Sequence, residues 1–381
     1  MNRSSLKNPE SPTERTPLLT VVIVNYDSWP EVRRLVESLE ATPEVAQGIC
    51  EVIVVDNASP NRPPTDLLQA IARGAGTQLL AQPDNGGFSA GVNAGWQAAR
   101  SRWLLVLNPD VLIPDGELRS IIDRIVRFEA DPTTQAPGVV GFKLLNPDGT
   151  RQPSVGVFPS LVRTAWEQLI PRSRRKYQPG WRTRPGPVAW VTGACMLLNT
   201  RMLAMVGGMD EDFFLYHEEV DLCRSAQNRG WSVIYDQDVR VVHLHPLQNR
   251  AISPRMRVIT RHSKLLYFRK HLPRWQFLTL SRIISLEAIV RRSGSMVQGR
   301  TDDGRAWRTI GEMARAFRRG LEPRGRQVLT LADSITAKSL AVTRGSREGS
   351  HTTPQIVPAG KRRGPSTATL LKPRKDGPAC R

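Results

Sequence analysis

The chain has 381 residues, 40% of them hydrophobic, and a formal net charge of +19. That suits one large domain with appendages, or two domains, and the excess positive charge calls for an acidic partner: a nucleotide, a phospholipid surface or a nucleic acid. No stretch approaches the roughly 20 apolar residues of a membrane span; the best candidate, 275–290, is interrupted by Arg282 and Glu287. The first eighteen residues are polar and Pro-rich rather than a signal peptide. Cys50, Cys195, Cys223 and Cys380 show neither close pairing nor metal spacing, so they read as reduced, mostly buried thiols. The expected location is therefore cytoplasmic, either free or lying on the inner face of the cell membrane.

Residues 1–17 read as a mobile arm. Leu18–Asn25 is a continuous, mostly β-branched run, as expected of a strand buried on both faces. Pro30 opens a helix with Val32, Leu35, Val36 and Leu39 on one side. Glu51–Asp56 is a second buried strand, followed by a helix near 65–72 and a strand at 78–81. A small-residue helix spans 88–100, and Trp103–Leu107 is a fourth strand. This alternation implies right-handed βαβ units and an α/β fold with a mainly parallel sheet flanked by helices. Further strands are predicted at 139–144 and 188–198, with a basic, Pro-rich loop at 171–187 between them. A helix runs from His217 to Gly230, and short paired strands follow at 232–235 and 239–244. Residues 18–255 thus form the main domain and 256–330 a basic helical extension with a break at Pro273. A basic, disordered tail is expected over 331–381.

Ligands of open α/β sheets bind at the carboxyl ends of the strands. Polar residues follow four buried runs there: Asn25-Tyr26, Asp56-Asn57, Asp84-Asn85-Gly86-Gly87 and Asn108-Pro109-Asp110. One such cluster is a turn as readily as a site. Four in succession describe an acidic, hydrogen-bonding cleft. Asp110 precedes the apolar Val111-Leu112-Ile113, and a carboxylate in that setting needs a partner, such as Mg or Mn shared with a diphosphate. Glu218 and Glu219 open a helix beside Phe213, Phe214 and Tyr216. The helix dipole alone favours acids there, whereas partial desolvation would suit one of them as a general base. Asp221 and Arg224 are spaced to pair on the helix face. His243 and His245 share one face of a strand end, where one of them could join Asp110 on a cation.

In order along the chain stand Asp56-Asn57-Ala58-Ser59, Asn85-Gly86-Gly87-Phe88-Ser89-Ala90-Gly91-Val92-Asn93, Asn108-Pro109-Asp110, Gly207-Gly208-Met209-Asp210-Glu211 and Tyr216-His217-Glu218-Glu219-Val220-Asp221-Leu222. This ordered set resembles the family 2 glycosyltransferases of the GT-A fold, most closely a rhamnosyltransferase-like branch, over about residues 18–272. The resemblance implies an inverting, metal-dependent enzyme that moves a sugar, rhamnose as the best single guess, from a nucleotide-diphosphate donor. The acceptor would be a hydroxyl of a glycan or of a lipid-linked glycan, polyprenyl-diphosphate carriers being common in the family. It implies donor binding by Asn25, Asp56, Asn85, Gly86, Asn93, Asn108 and Asp110, with Asp110 and His243 on the metal. Asn108 stands where the family's first metal-binding acid falls, which leaves one carboxylate and makes His243 more necessary. Glu219 aligns with the general base, although Glu replaces the usual Asp and Glu218 remains an alternative.

Two other classes compete. A non-catalytic sugar- or polyanion-binding relative would have lost Asp110 or the paired glutamates, and both are present. A nucleic-acid-binding protein suits the charge, but no recognisable module or base-stacking surface is seen. The basic stretch Arg172–Lys176 and Arg255, Arg257, Arg261, Lys264, Arg269 and Lys270 are either an anionic-lipid surface or a solvated helix face.

Overall fold

The structure, a computed structural model, describes residues 16–74, 76–131, 133, 135–167, 183–245 and 252–345. The basic stretch Arg172–Lys176, Cys380, nearly all of the N-terminal arm and the chain beyond 345 lie outside the described residues.

The first half alternates as its hydrophobic runs dictate: β1 (Leu19–Asn25), α1 (Trp29–Glu40), α2 (Pro43–Ala46), β2 (Cys50–Asp56), α3 (Thr65–Arg73), β3 (Thr77–Ala81), α4 (Phe88–Ala98) and β4 (Trp103–Leu107). Strands β3, β2, β1 and β4 lie side by side and parallel, in that order. β1 is buried on both faces. Its alternate residues divide between two cores, Val22 and Val24 facing one and Leu19, Val21 and Ile23 the other. α4 lies close on the first of these faces because its small residues permit it. A Cβ at Gly91 or Gly95 would come within 2.6 Å or 2.5 Å of Val24 or Val22.

The second half is mixed rather than parallel. It runs β5 (Val111–Leu112), α5 (Glu117–Ala130), β6 (Val139–Leu145), β7 (Arg151–Gln152), β8 (Val155–Gly156), α6 (Leu161–Glu167), β9 (Gly186–Pro187), β10 (Trp190–Val191), β11 (Cys195–Asn199), α7 (Thr200–Val206), α8 (Glu218–Asn228) and β12 (Val233–His243). The sheet continues from β4 through antiparallel β11 to β6, then to β12, parallel to β6, and to β5, antiparallel to β12. Two expectations are corrected here. The strand predicted over 188–198 is divided, because β10 pairs with β8 in a separate two-stranded sheet. The two strands predicted over 232–244 are one strand, whose register shifts between Asp236 and Arg240. Arg124 of α5 ties down that irregularity through Asp236 (2.7 Å) and Asp238 (3.2 Å).

Four helices follow: α9 (Pro254–His271), α10 (Arg274–Val297), α11 (Thr301–Arg319) and α12 (Arg326–Gly345). Ser253 caps α9 by accepting from the Met256 N–H, and Pro273 separates α9 from α10 as expected. α12 carries helix past residue 331, where a disordered tail was expected to begin; Val328, Ala332 and Ile335 bury its inner face.

Candidate active site

The parallel strands end on a cleft, but not every strand-end residue faces it. Asn25 is 0% exposed. Its amide donates to Asp56 Oδ1 (3.1 Å) and Ser59 Oγ (3.2 Å), and its oxygen accepts from the Ser28 N–H (3.0 Å). It therefore positions Asp56, and both of its amide hydrogens are taken by the protein. Asn93, also expected to contact the donor, is a bracket of the same kind. It accepts from the Met209 N–H (2.8 Å) and donates to the Met209 carbonyl (2.8 Å) and Glu211 (2.9 Å), which ties α4 to the Gly207-Gly208-Met209 turn.

The Asn85–Gly87 loop is held by carboxamides. Asn57 donates to the Gly87 carbonyl (2.7 Å) and accepts from the Gly86 N–H (3.3 Å), while Asn85 accepts from the Gly87 N–H (3.0 Å). Gly87 has φ +88, and a Cβ there would sit 2.1 Å from the Phe214 carbonyl oxygen, so only glycine fits. The neighbouring Phe88 N–H donates to that same oxygen.

Around this loop lies a cavity of about 390 Å³ lined by Tyr26, Asn57, Asn85, Phe88, Asn108, Asp110, Phe214, Tyr216, His243, His245 and Arg255, among others. A hollow of about 490 Å³ elsewhere is lined by Thr183, Arg184, Gln227 and mostly apolar neighbours, and it gathers none of the predicted groups. The pairing of β5 with β12, Val111 opposite His243, sets Asp110 beside the histidine. His243 Nε2 is 3.3 Å from Asp110 Oδ1, and its Nδ1 is 2.7 Å from Gln152 Oε1. The Gln152 amide nitrogen donates to Asn146 Oδ1 (2.9 Å), so its oxygen is the end presented to His243. Nδ1 must then carry the proton in the neutral ring, which leaves the Nε2 lone pair directed toward Asp110. Two electron-pair donors face one another across a gap that a cation or a proton would fill. Among the described residues there is no group of three or more His, Cys, Asp or Glu at metal spacing. A cation here would thus draw its remaining ligands from phosphate and water, as Mg and Mn do.

Glu218 and Glu219 are buried, 6% and 3% exposed, and neither lines the cavity. Glu219 lies behind its wall: a Cβ built on Gly193 would be 3.5 Å from the Phe88 ring and 3.8 Å from Glu219 Cβ. The loop before them is strained. Tyr216 and His217 both have left-handed backbones (φ +69 and +67), and the other two such non-glycine residues described, Asp27 and Ala58, flank strand ends at the same cleft. α9 holds this loop, with Ser263 Oγ donating to the Leu215 carbonyl (2.7 Å).

Asp221 does not pair with Arg224. Its carboxylate accepts from Lys270 (2.9 Å) and His271 (2.5 Å) at the end of α9, while Arg224 stacks over Phe158. The basic residues of α9 likewise turn onto acids of the protein: Arg255 on Asp333, Arg257 on Asp303, Arg261 on Glu287, Arg269 on Glu322, and Lys270 also on Asp210. Their charge is largely answered internally rather than displayed as one basic face. Sequence reasoning had not marked Gln152, nor Arg255 as a cavity residue. Cys50, Cys195 and Cys223 are free and buried as expected, and burial raises each thiol's pKa, to about 12 for Cys50 and Cys223.

Residues 20–205 match the model of glycosyl transferase family 2. The chain is similar to this family over just under half of its length. It is 28% identical over 275 residues to an N-acetylglucosaminyl-diphospho-decaprenol L-rhamnosyltransferase of Mycobacterium tuberculosis, covering 66% of this chain and 84% of that one. It is 27% identical over 294 residues to the low-salt glycan biosynthesis hexosyltransferase Agl10 of Haloferax volcanii, covering 72% and 84%. Among solved structures, GalNAc-T7 with UDP, GalNAc and Mn2+ aligns at TM-score 0.47 and 16% identity, over 68% of this chain and 48% of that one. The chain is a glycosyltransferase built on a mixed sheet with flanking helices. No described helix is long and apolar enough to cross a membrane.

Proposed function

We propose that this chain is an inverting, metal-dependent family 2 transferase that moves a sugar from a nucleotide-diphosphate donor to a hydroxyl of a lipid-linked glycan. Rhamnose is the favoured sugar, and a polyprenyl-diphosphate glycan the favoured acceptor, because of the similarity to the mycobacterial enzyme. The proposed location is the inner face of the cell membrane. The observation that carries the reading is the Asp110–His243 pair at 3.3 Å on the wall of the cavity, with Gln152 fixing the histidine tautomer.

In this reading Asp110 and His243 hold Mg or Mn, which when bound would offset charge building on the leaving diphosphate. Asp56, kept in place by Asn25, is oriented toward the nucleotide base. Asn85, Gly86 and Asn108 border the sugar and diphosphate, with Asn57 and Asn85 holding the loop in shape through the Gly86 and Gly87 amides. Glu219, with Glu218 as the alternative, takes the proton from the acceptor hydroxyl as that oxygen attacks opposite the leaving group. General-base help of this kind is worth about 10²–10⁴-fold. Because Glu219 sits behind Phe88 and Gly193, it reaches the acceptor only if the acceptor enters on that side of the wall.

A catalytically inactive, sugar-binding relative is the competing reading. The discriminating experiment supplies purified protein with a panel of nucleotide sugars, with and without Mg or Mn, and measures released nucleoside diphosphate. Metal-dependent release from one donor, increased by a lipid-linked glycan acceptor, supports transfer. Donor binding with no release under any condition would support the inactive relative.

A further inference from the structure

Helix α10 packs on one side only. Phe277, Leu280, Ile284 and Ala288 are buried on its inner face. With 3.6 residues per turn, the opposite side carries Trp275, Ile283, Leu286, Ile289, Val290 and Val297. These range from 49% exposed at Ile283 to 89% at Val297. The helix has 24 residues, so the stripe extends for about 30 Å. Soluble proteins seldom leave so long an apolar strip open to water.

Guanidinium groups stand beside the stripe. Arg318 of α11 donates to the Ser281 carbonyl (3.1 Å) and to Ser285 Oγ (3.0 Å), which anchors it on α10. Arg282, Arg315 and Arg319 are its charged neighbours; burial first, and then their repulsion, lowers its pKa. Unlike the cations of α9, none of these four is in an ion pair among the described residues. The cluster keeps its positive charge next to an apolar surface, a combination that suits a layer of phosphate above hydrocarbon.

We propose that α10 lies in the plane of an anionic bilayer, its apolar stripe at the headgroup–acyl boundary and Arg282, Arg315, Arg318 and Arg319 on lipid phosphates. Arg282 sits within the stripe and can extend its head to the phosphate layer while its stem stays with the apolar residues. A second copy of the chain is a poorer occupant, since a twofold contact through the stripe would bring two arginine clusters toward each other. The inference does not depend on the donor cleft or on the identity of the sugar.

The test is co-sedimentation of the full chain with vesicles of phosphatidylcholine alone and of phosphatidylcholine with phosphatidylglycerol. The chain should pellet with the anionic vesicles. Paired Leu286→Glu and Val290→Glu substitutions should lower partitioning by about tenfold or more. Arg315→Gln and Arg319→Gln should each lower binding to the anionic vesicles by roughly fivefold. All these positions are exposed, and circular dichroism melts would verify that each variant folds; Leu286→Gln is the milder substitute if the double variant does not. Wild-type protein indifferent to vesicles, or a folded Leu286 variant that binds them as wild type does, overturns the proposal. A wild-type dimer that the same variant converts to monomer, with vesicle binding unchanged, would also overturn it and assign the stripe to self-association.

Discussion

The backbone N–H of Phe88 donates to the carbonyl of Phe214 across 3.0 Å, joining the Asn85–Gly87 loop to the segment that leads into Glu218 and Glu219. The glycine loop and the segment before the two glutamates meet at that one oxygen. Gly87 makes the approach possible, with φ +88 and no room for a Cβ. Gly87→Ala should therefore cost about 1–3 kcal/mol from backbone strain alone, with displacement of the Phe214 segment added. Urea unfolding would measure it; a variant as stable as wild type would show that the two segments are not fixed to each other here.

Gln152 holds His243 without lining the cavity. Gln152→Leu removes the acceptor that fixes the tautomer and should weaken Mn affinity by about 10–100-fold, with little change in the folded structure. Calorimetric titration with Mn is the check. Unchanged affinity would mean that His243 needs no such orientation or does not bind the cation.

His262 is fully buried under the C-terminal helices, its Nε2 2.7 Å from the Pro323 carbonyl. Burial lowers its pKa to about 4 from an ordinary 6.5. Between these values the unfolded chain binds a proton that the folded chain does not. Stability should thus be full above pH 6.5 and fall as the pH drops toward 4, by up to about 3 kcal/mol from this group. Denaturation midpoints of wild type and His262→Gln across that window would isolate it. Identical pH slopes in the two proteins would contradict the assignment.

Glu219→Gln should bind the nucleotide-sugar donor as wild type does and lose transfer by about 10²–10⁴-fold. Donor affinity and turnover measured side by side on the variant would separate the two effects. Near-normal turnover would remove Glu219 from the role, and the same loss in Glu218→Gln alone would assign it to the neighbouring carboxylate.

Much of this site could be read from strand ends. Asn85, Asn108, Asp110 and His243 were expected in one cleft, and all four line it. Burial on both faces made β1, β2 and β4 plain, because a continuous apolar run has few other uses. The internal bonds of Asn25 and Asn93, expected at the donor, were not legible for a physical reason: a carboxamide at such a position serves a ligand or a distant backbone equally well, and only the partner decides. The partners here, Asp56, Ser59 and the Met209 peptide, are remote in sequence. The α9 cations were opaque for the same reason, since Asp303 and Asp333 lie on later helices and Glu322 in the turn between them. Gln152, in a two-residue strand, carried no periodic signal at all.

The central claim is that Asp110 and His243 jointly hold the cation that binds the donor diphosphate. Calorimetric titration of Mn, and then of nucleotide sugar in its presence, into Asp110→Ala tests it most directly. The account predicts that cation and donor affinity fall together while the melting temperature holds. Wild-type affinity for both in that variant would contradict it.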